Sequence, residues 1–90
     1  MTWYIYEITN NINGKTYIGL HHLVPKDKYM GSGILIKKAI SKYGKDNFRK
    51  VILVKNIPSL EEARAWEIYF IARNRQRNKA EYNIADGVKG

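Results

Sequence analysis

Ninety residues provide for one small domain and exclude a second of cofactor-binding size. With 44% apolar and 12% aromatic residues against 27% charged, the chain can build a packed core and is not a disordered tail. Sixteen Lys and Arg against eight Asp and Glu leave a formal charge of +8, which points to a polyanionic partner, and the lack of cysteine excludes disulfides, thiolate metal sites and cysteine nucleophiles.

Trp3 to Thr9 is rich in aromatic and β-branched residues, and Lys15 to Leu20 reads the same way. Between them Asn13-Gly14 predicts a two-residue hairpin turn with positive φ at both positions. That turn would pair Ile12 with Lys15, Ile8 with Gly19 and Tyr6 with His21. Opposed residues share a face, so Tyr6, Ile8, Tyr17, Gly19 and His21 should project from one side of the sheet. After the polar stretch His22 to Lys28, Ser32 can cap a helix whose apolar positions are Ile36, Ala39, Ile40 and Tyr43, with Gly44 ending it. Lys37, Lys38, Lys42 and Lys45 fall on its outside.

Asn47 to Lys55 carries Val51-Ile52-Leu53-Val54 and predicts a third, buried strand that Ile57-Pro58 stops. Ser59 with Glu62 forms a capping box that opens a second helix, from about Leu60 to Asn74. Tyr82 to Ala85 reads as a short packed segment. The fold class is therefore α+β, a small three-stranded antiparallel sheet flanked by helices, with strand order open.

Five groups of residues could carry chemistry. In the second helix Leu60, Ala63, Phe70 and Ile71 make one stripe, and Glu67 falls in its middle. A buried carboxylate costs several kcal/mol unless it is paired, so Glu67 has either a Lys or Arg partner or a metal. Tyr6 and Tyr17 share a face with Gly19; they serve as sheet packing or as catalytic phenols. A phenol of pKa near 10 is ionised only about once per thousand at neutral pH, so a base role requires positive charge beside it. His21 and His22, adjacent on a strand, should point to opposite faces and not share a metal. His21, on the Tyr6 side, could donate to a phosphate or accept a proton. Lys15, Lys26 and Lys28 lie toward that end of the sheet as phosphate contacts or as solvated charges. Gly31-Ser32-Gly33 could cradle a phosphate at the helix entry or act only as a flexible lead-in.

Together these residues resemble the GIY-YIG nuclease superfamily, in particular the catalytic domains of phage-type and group I intron homing endonucleases. Tyr4-Ile5-Tyr6 stands at the first signature and Tyr17-Ile18-Gly19 is the second intact. Tyr43-Gly44, Asn47-Phe48, Glu67 and Tyr82-Asn83-Ile84 follow in the family's order. The resemblance implies metal-dependent hydrolysis of a DNA phosphodiester. Tyr6 would act on the attacking water and Tyr17 would assist it or hold the phosphate. Glu67 would be the one protein carboxylate on Mg²⁺ or Mn²⁺, with Asn83 orienting the tyrosine or water network.

Two positions depart from the family. Tyr4 replaces the first glycine, and no Arg occurs between Tyr17 and Phe48 where an arginine is customary. Lys28 or Lys26, with His21 or His22, would then neutralise the phosphate. The implied DNA contacts are Lys15, His22, Lys26, Ser32 and Lys37, and the implied partner is double-stranded DNA bound by a monomer. The apolar runs are too short to span a membrane and no signal peptide is evident, so a soluble, unexported, cytoplasmic protein encoded by a phage or an intron is expected. The chain would be a single nuclease domain, complete or cut from a longer enzyme with a C-terminal DNA-binding region. The competing reading is a non-catalytic basic nucleic-acid-binding module on the same fold.

Overall fold

Trp3–Asn10 forms strand β1 and Thr16–His22 forms β2, joined in an antiparallel hairpin. The structure is a computed structural model, and it describes residues 2–22, 30–31, 33–77 and 82–83. The hairpin turn is wider than the Asn-Gly pair predicts. Gly14 alone takes a positive φ, 78°, and Asn13 does not join it. Two asparagine side chains hold the loop open: Asn10 Oδ1 accepts from Ile12 N and Asn13 Oδ1 from Lys15 N, each at 2.9 Å. Asn10 N donates to Lys15 O, so Lys15 pairs with Asn10 instead of Ile12 and the loop is two residues longer than expected.

The register therefore shifts by two residues from the expected one, so Tyr6 faces Gly19 and Ile8 faces Tyr17. A shift of two preserves parity, and Tyr6 and Tyr17 stay on one face. His21 moves opposite Tyr4 instead of Tyr6.

Ile34–Tyr43 is helix α1, followed by a 3₁₀ turn Lys45–Asn47. Its N-cap is Gly33, with no side-chain cap hydrogen bond, and Ser32, from which the capping was expected, lies outside the described residues. Ile36 and Ala39 are buried and Ile40 and Tyr43 partly so, as the spacing predicts, and Gly44 ends the helix at φ 88°.

Phe48–Ile57 is strand β3, paired antiparallel with β1. The strand order is β2-β1-β3, so β1 is central and β3 is an edge. The expected burial of the β3 apolar run is corrected here: Val51 and Ile52 are each 45% exposed. Continuous apolar residues suit a strand covered on both faces, but an edge strand that outruns its covering helix leaves some uncovered.

Leu60–Gln76 is helix α2, with Ser59 Oγ accepting from Glu62 N at 3.1 Å. Ala63, Phe70, Ile71 and Asn74 form its buried stripe. The helices cover opposite faces of the sheet. On one side Tyr4, Tyr6 and Ile8 pack with Ile36 and Ala39 of α1, Phe48 and Tyr82. On the other, Ile5 and Ile18 pack with Ala63, Phe70 and Ile71 of α2 and with Ile57. Asn74 Nδ2 donates to Glu7 Oε2 at 2.6 Å, tying the end of α2 to the hairpin. Among the described residues no helix is long and apolar enough to cross a membrane.

The outer edge of β2 is covered by the late segment 82–83. Tyr82 N donates to Thr16 O at 3.1 Å. Asn83 acts as a one-residue strand, since its Oδ1 accepts from Ile18 N at 2.9 Å and its Nδ2 donates to Ile18 O at 2.8 Å. Removing both bonds with Asn83→Ala is expected to cost about 1–2 kcal/mol in urea unfolding. A loss below about 0.3 kcal/mol would show that water replaces the amide fully.

Candidate active site

Three glycines decide how the phenols are held. A Cβ on Gly19 would overlap the Tyr6 hydroxyl and Cζ and stand 3.0 Å from Tyr17 Cε2. A Cβ on Gly31 would stand 3.0 Å from Tyr17 Cε2 and 3.3 Å from the Tyr6 hydroxyl, and one on Gly33 would stand 3.1 Å from Tyr17 Cε1. The glycines of β2 and of the α1 entry thus provide the floor and wall on which both rings lie. The rings are 6.2 Å apart between centroids and tilted by 40°. Tyr6 is 1% exposed, whereas Tyr17 is half-buried. Gly31 and Gly33 at the α1 entry give Tyr17 its seat.

The other expected residues are distributed less simply. His21 meets Tyr4 edge-on at 6.2 Å and His22 meets Trp3 at 5.9 Å. Their own rings nevertheless approach to 4.4 Å, so the two imidazoles are neighbours at the end of β2 and not separated by the sheet as expected. Lys15 sits in the hairpin turn, at the opposite end of β2 from His21 and His22. Lys37 is exposed on α1. Lys26 and Lys28 lie outside the described residues, as does Ser32. Asn83 directs its amide at the Ile18 backbone, between Tyr17 and Gly19 in sequence.

Glu67 stands on the stripe of α2 that faces the sheet and is half-buried. Burial raises its pKa from 4.5 to about 7, and the Arg64 guanidinium opposes this only in part. Among the described residues it has no hydrogen bond. Since α2 covers the Ile5–Ile18 face, Glu67 and the two phenols approach the sheet from opposite sides. A phosphate touching both would have to straddle a sheet margin.

Sequence reasoning missed Lys50 and gave Tyr4 no part. Lys50 Nζ donates to the Tyr4 hydroxyl at 2.7 Å and lies 4.9 Å from the centroids of both the Tyr4 and Tyr6 rings. Nothing local announces this, because Lys50 lies 46 residues from Tyr4 and is only one of many lysines.

The chain matches the GIY-YIG catalytic domain over residues 2–83. It belongs to the GIY-YIG family. Within that family it is similar along its whole length to the segD protein of Enterobacteria phage T4, with 45% identity over 91 residues and 40% of that protein covered. Endonuclease segA of the same phage is 38% identical over 90 residues, spanning 97% of this chain and 39% of its own length. The fold is similar to the catalytic domain of intron endonuclease I-TevI in a glutamate-to-alanine variant, with TM-score 0.70, 27% identity and complete coverage of both chains. As a GIY-YIG catalytic domain the chain is an enzyme domain of the endonuclease type. It spans about two fifths of the length of the phage relatives.

Proposed function

We propose that this GIY-YIG domain cuts double-stranded DNA by metal-dependent hydrolysis of a phosphodiester. The observation that carries the reading is Glu67, a half-buried carboxylate in a chain of charge +8, held up to about 7 and without a hydrogen bond among the described residues. A divalent cation would supply the missing compensation. Among the described residues there is no cluster of three His, Cys, Asp or Glu, so the donor set suits Mg²⁺ or Mn²⁺, which accept one carboxylate with phosphate oxygens and water. Bound at Glu67, such an ion would polarise the phosphoryl oxygen and neutralise charge that develops there.

The residues of the chain would do the rest. Tyr6, having lost its own proton to solvent, takes a proton as the phenolate from the attacking water while that oxygen bonds to phosphorus, and the departing sugar oxygen leaves on the opposite side and takes up a proton from solvent. Tyr17, the more open ring of the pair, holds the phosphate against the Gly31–Gly33 entry. Asn83 keeps β2 straight between Tyr17 and Gly19, a positioning part. His21, His22 and the lysines Lys26, Lys28, Lys15 and Lys37 contribute positive charge along the DNA backbone, which makes binding weaken steeply with salt. The rest of a longer protein, as in the phage relatives, would supply sequence preference.

Incubation of supercoiled plasmid with the domain in Mg²⁺ should give nicked circles, and EDTA should stop the reaction. Tyr17→Phe should slow cleavage by about 10²-fold or more, the usual range for a proton-handling or phosphate-orienting side chain. Full binding without any nicking in Mg²⁺ or Mn²⁺ would favour the non-catalytic basic module instead.

A further inference from the structure

We propose that Lys50, seated by the Tyr4 hydroxyl, is the fixed positive charge that readies the Tyr6 phenol to lose its proton. The proposal rests on Tyr6 as the phenol that acts on water, and it adds the group that makes such a phenol usable near neutral pH.

The argument starts from the register. Lys50 pairs with Ile8 across β1 and β3, so its side chain leaves the sheet on the face of Ile8, Tyr6 and Tyr4. Its ammonium donates to the Tyr4 hydroxyl, 2.7 Å away. The same ammonium is 4.9 Å from the Tyr6 ring centroid. Tyr4 is 0% exposed and Tyr6 1%, so the anchor and the ring it serves are both fixed by packing. Lys50 is half-buried and has exchanged part of its hydration for two aromatic faces and a phenol oxygen.

Such a cation distinguishes the two states of Tyr6. A neutral ring offers it only the quadrupole of the π face; a phenolate offers a full opposite charge. Lys50 therefore favours the ionised form and lowers the proton affinity of Tyr6. The other titratable groups on this face are Tyr4 of β1, Tyr17 and His21 of β2, Tyr43 of α1 with Lys42 over its ring, and Tyr82. Among the described residues none of these is an acid that would offset Lys50. Tyr4 has no proton-transfer part in this arrangement; its hydroxyl accepts from Lys50 and keeps the charge over its neighbour.

The test labels the full chain with 3-fluorotyrosine, assigns the Tyr6 ¹⁹F resonance with Tyr6→Phe, and follows its titration. Lys50→Met, which keeps the stem and removes the charge, should raise the Tyr6 midpoint by about one pH unit or more, and Lys50→Arg should restore most of it. The rising limb of the cleavage rate against pH should move upward by the same amount, with KM for DNA little changed. A folded Lys50→Met protein with an unmoved Tyr6 midpoint would overturn the proposal. Should that variant not fold, Tyr4→Phe removes a single oxygen and should still raise the midpoint, and no change there overturns it equally. The titration needs no activity, so a shifted midpoint in a protein that never nicks DNA would uphold the Lys50–Tyr6 coupling and sink the nuclease reading alone.

Discussion

Gly19→Ala is expected to lower stability by about 2–3 kcal/mol and to cut the rate of DNA cleavage by at least about a hundredfold. Both effects have one cause. The added methyl would occupy the position of the Tyr6 hydroxyl and Cζ. Tyr6 is a rigid ring closed in by Tyr4, Tyr17 and Gly31, so it cannot swing aside as a lysine tip could. Either β2 moves away from the ring, at a cost in ladder bonds and packing, or the ring leaves its seat and the phenol pair is lost. The requirement is one of space and not of backbone conformation, because Gly19 pairs with Tyr6 in regular antiparallel register. Gly14→Ala serves as the control. It strains a positive φ but meets no neighbouring atom within 4 Å, so it should lose stability and leave cleavage by the folded fraction unchanged. Thermal unfolding and plasmid nicking measured together separate the two variants; equal cleavage by Gly19→Ala and wild type would remove the Tyr6–Gly19 contact from the mechanism.

The contrast between these glycines shows how much of the site could be read from the chain. Facing side chains repeat every two residues, so the side on which Tyr6 and Tyr17 stand was legible even though the turn was not. The turn escaped because Asn10 and Asn13 use their side chains on nearby backbone N–H groups, a competition that the Asn-Gly pair alone does not reveal. Glu67 was legible because a helical period of 3.6 places it among Ala63, Phe70 and Ile71, whatever the helix packs against. That α2 covers the face opposite the phenols was not legible, since a helix stripe says that it is buried and not where.

Long-range pairing was the least legible. Val51 to Val54 could belong to a central or an edge strand, and only the order β2-β1-β3 distinguishes them. Lys50 acquires its place over Tyr6 from the same pairing, whose register slips between Ile5 and Tyr6. Asn83 likewise meets Ile18 from 65 residues away, as a strand substitute that no local pattern encodes. In each case the side chain takes its part from a neighbour that is remote in sequence.

Glu67→Gln should abolish metal-dependent nicking and, at the same time, stabilise the metal-free protein at pH 8. The sign follows from where the proton sits. The folded carboxyl has a pKa of about 7 against 4.5 for the unfolded reference, so between these values the folded state holds the proton more tightly. The stabilisation from that proton is fully present below 4.5 and disappears as pH rises through 7. At pH 8 the wild type carries a desolvated carboxylate at a cost of about 1–2 kcal/mol, allowing for the part of the group that solvent still screens. The Gln variant carries none, so the two stabilities from urea unfolding should coincide near pH 4, part between 4.5 and about 7, and stay apart above that in favour of Gln. Mg²⁺ should reverse the order by stabilising only the wild type, with an affinity that falls about tenfold per pH unit below 7 because the ion competes with the proton. A Gln variant that unfolds like the wild type at every pH would show that Glu67 is comfortably solvated. One that still nicks plasmid at the wild-type rate would move the metal away from α2, leaving the phenols to act with a different ligand.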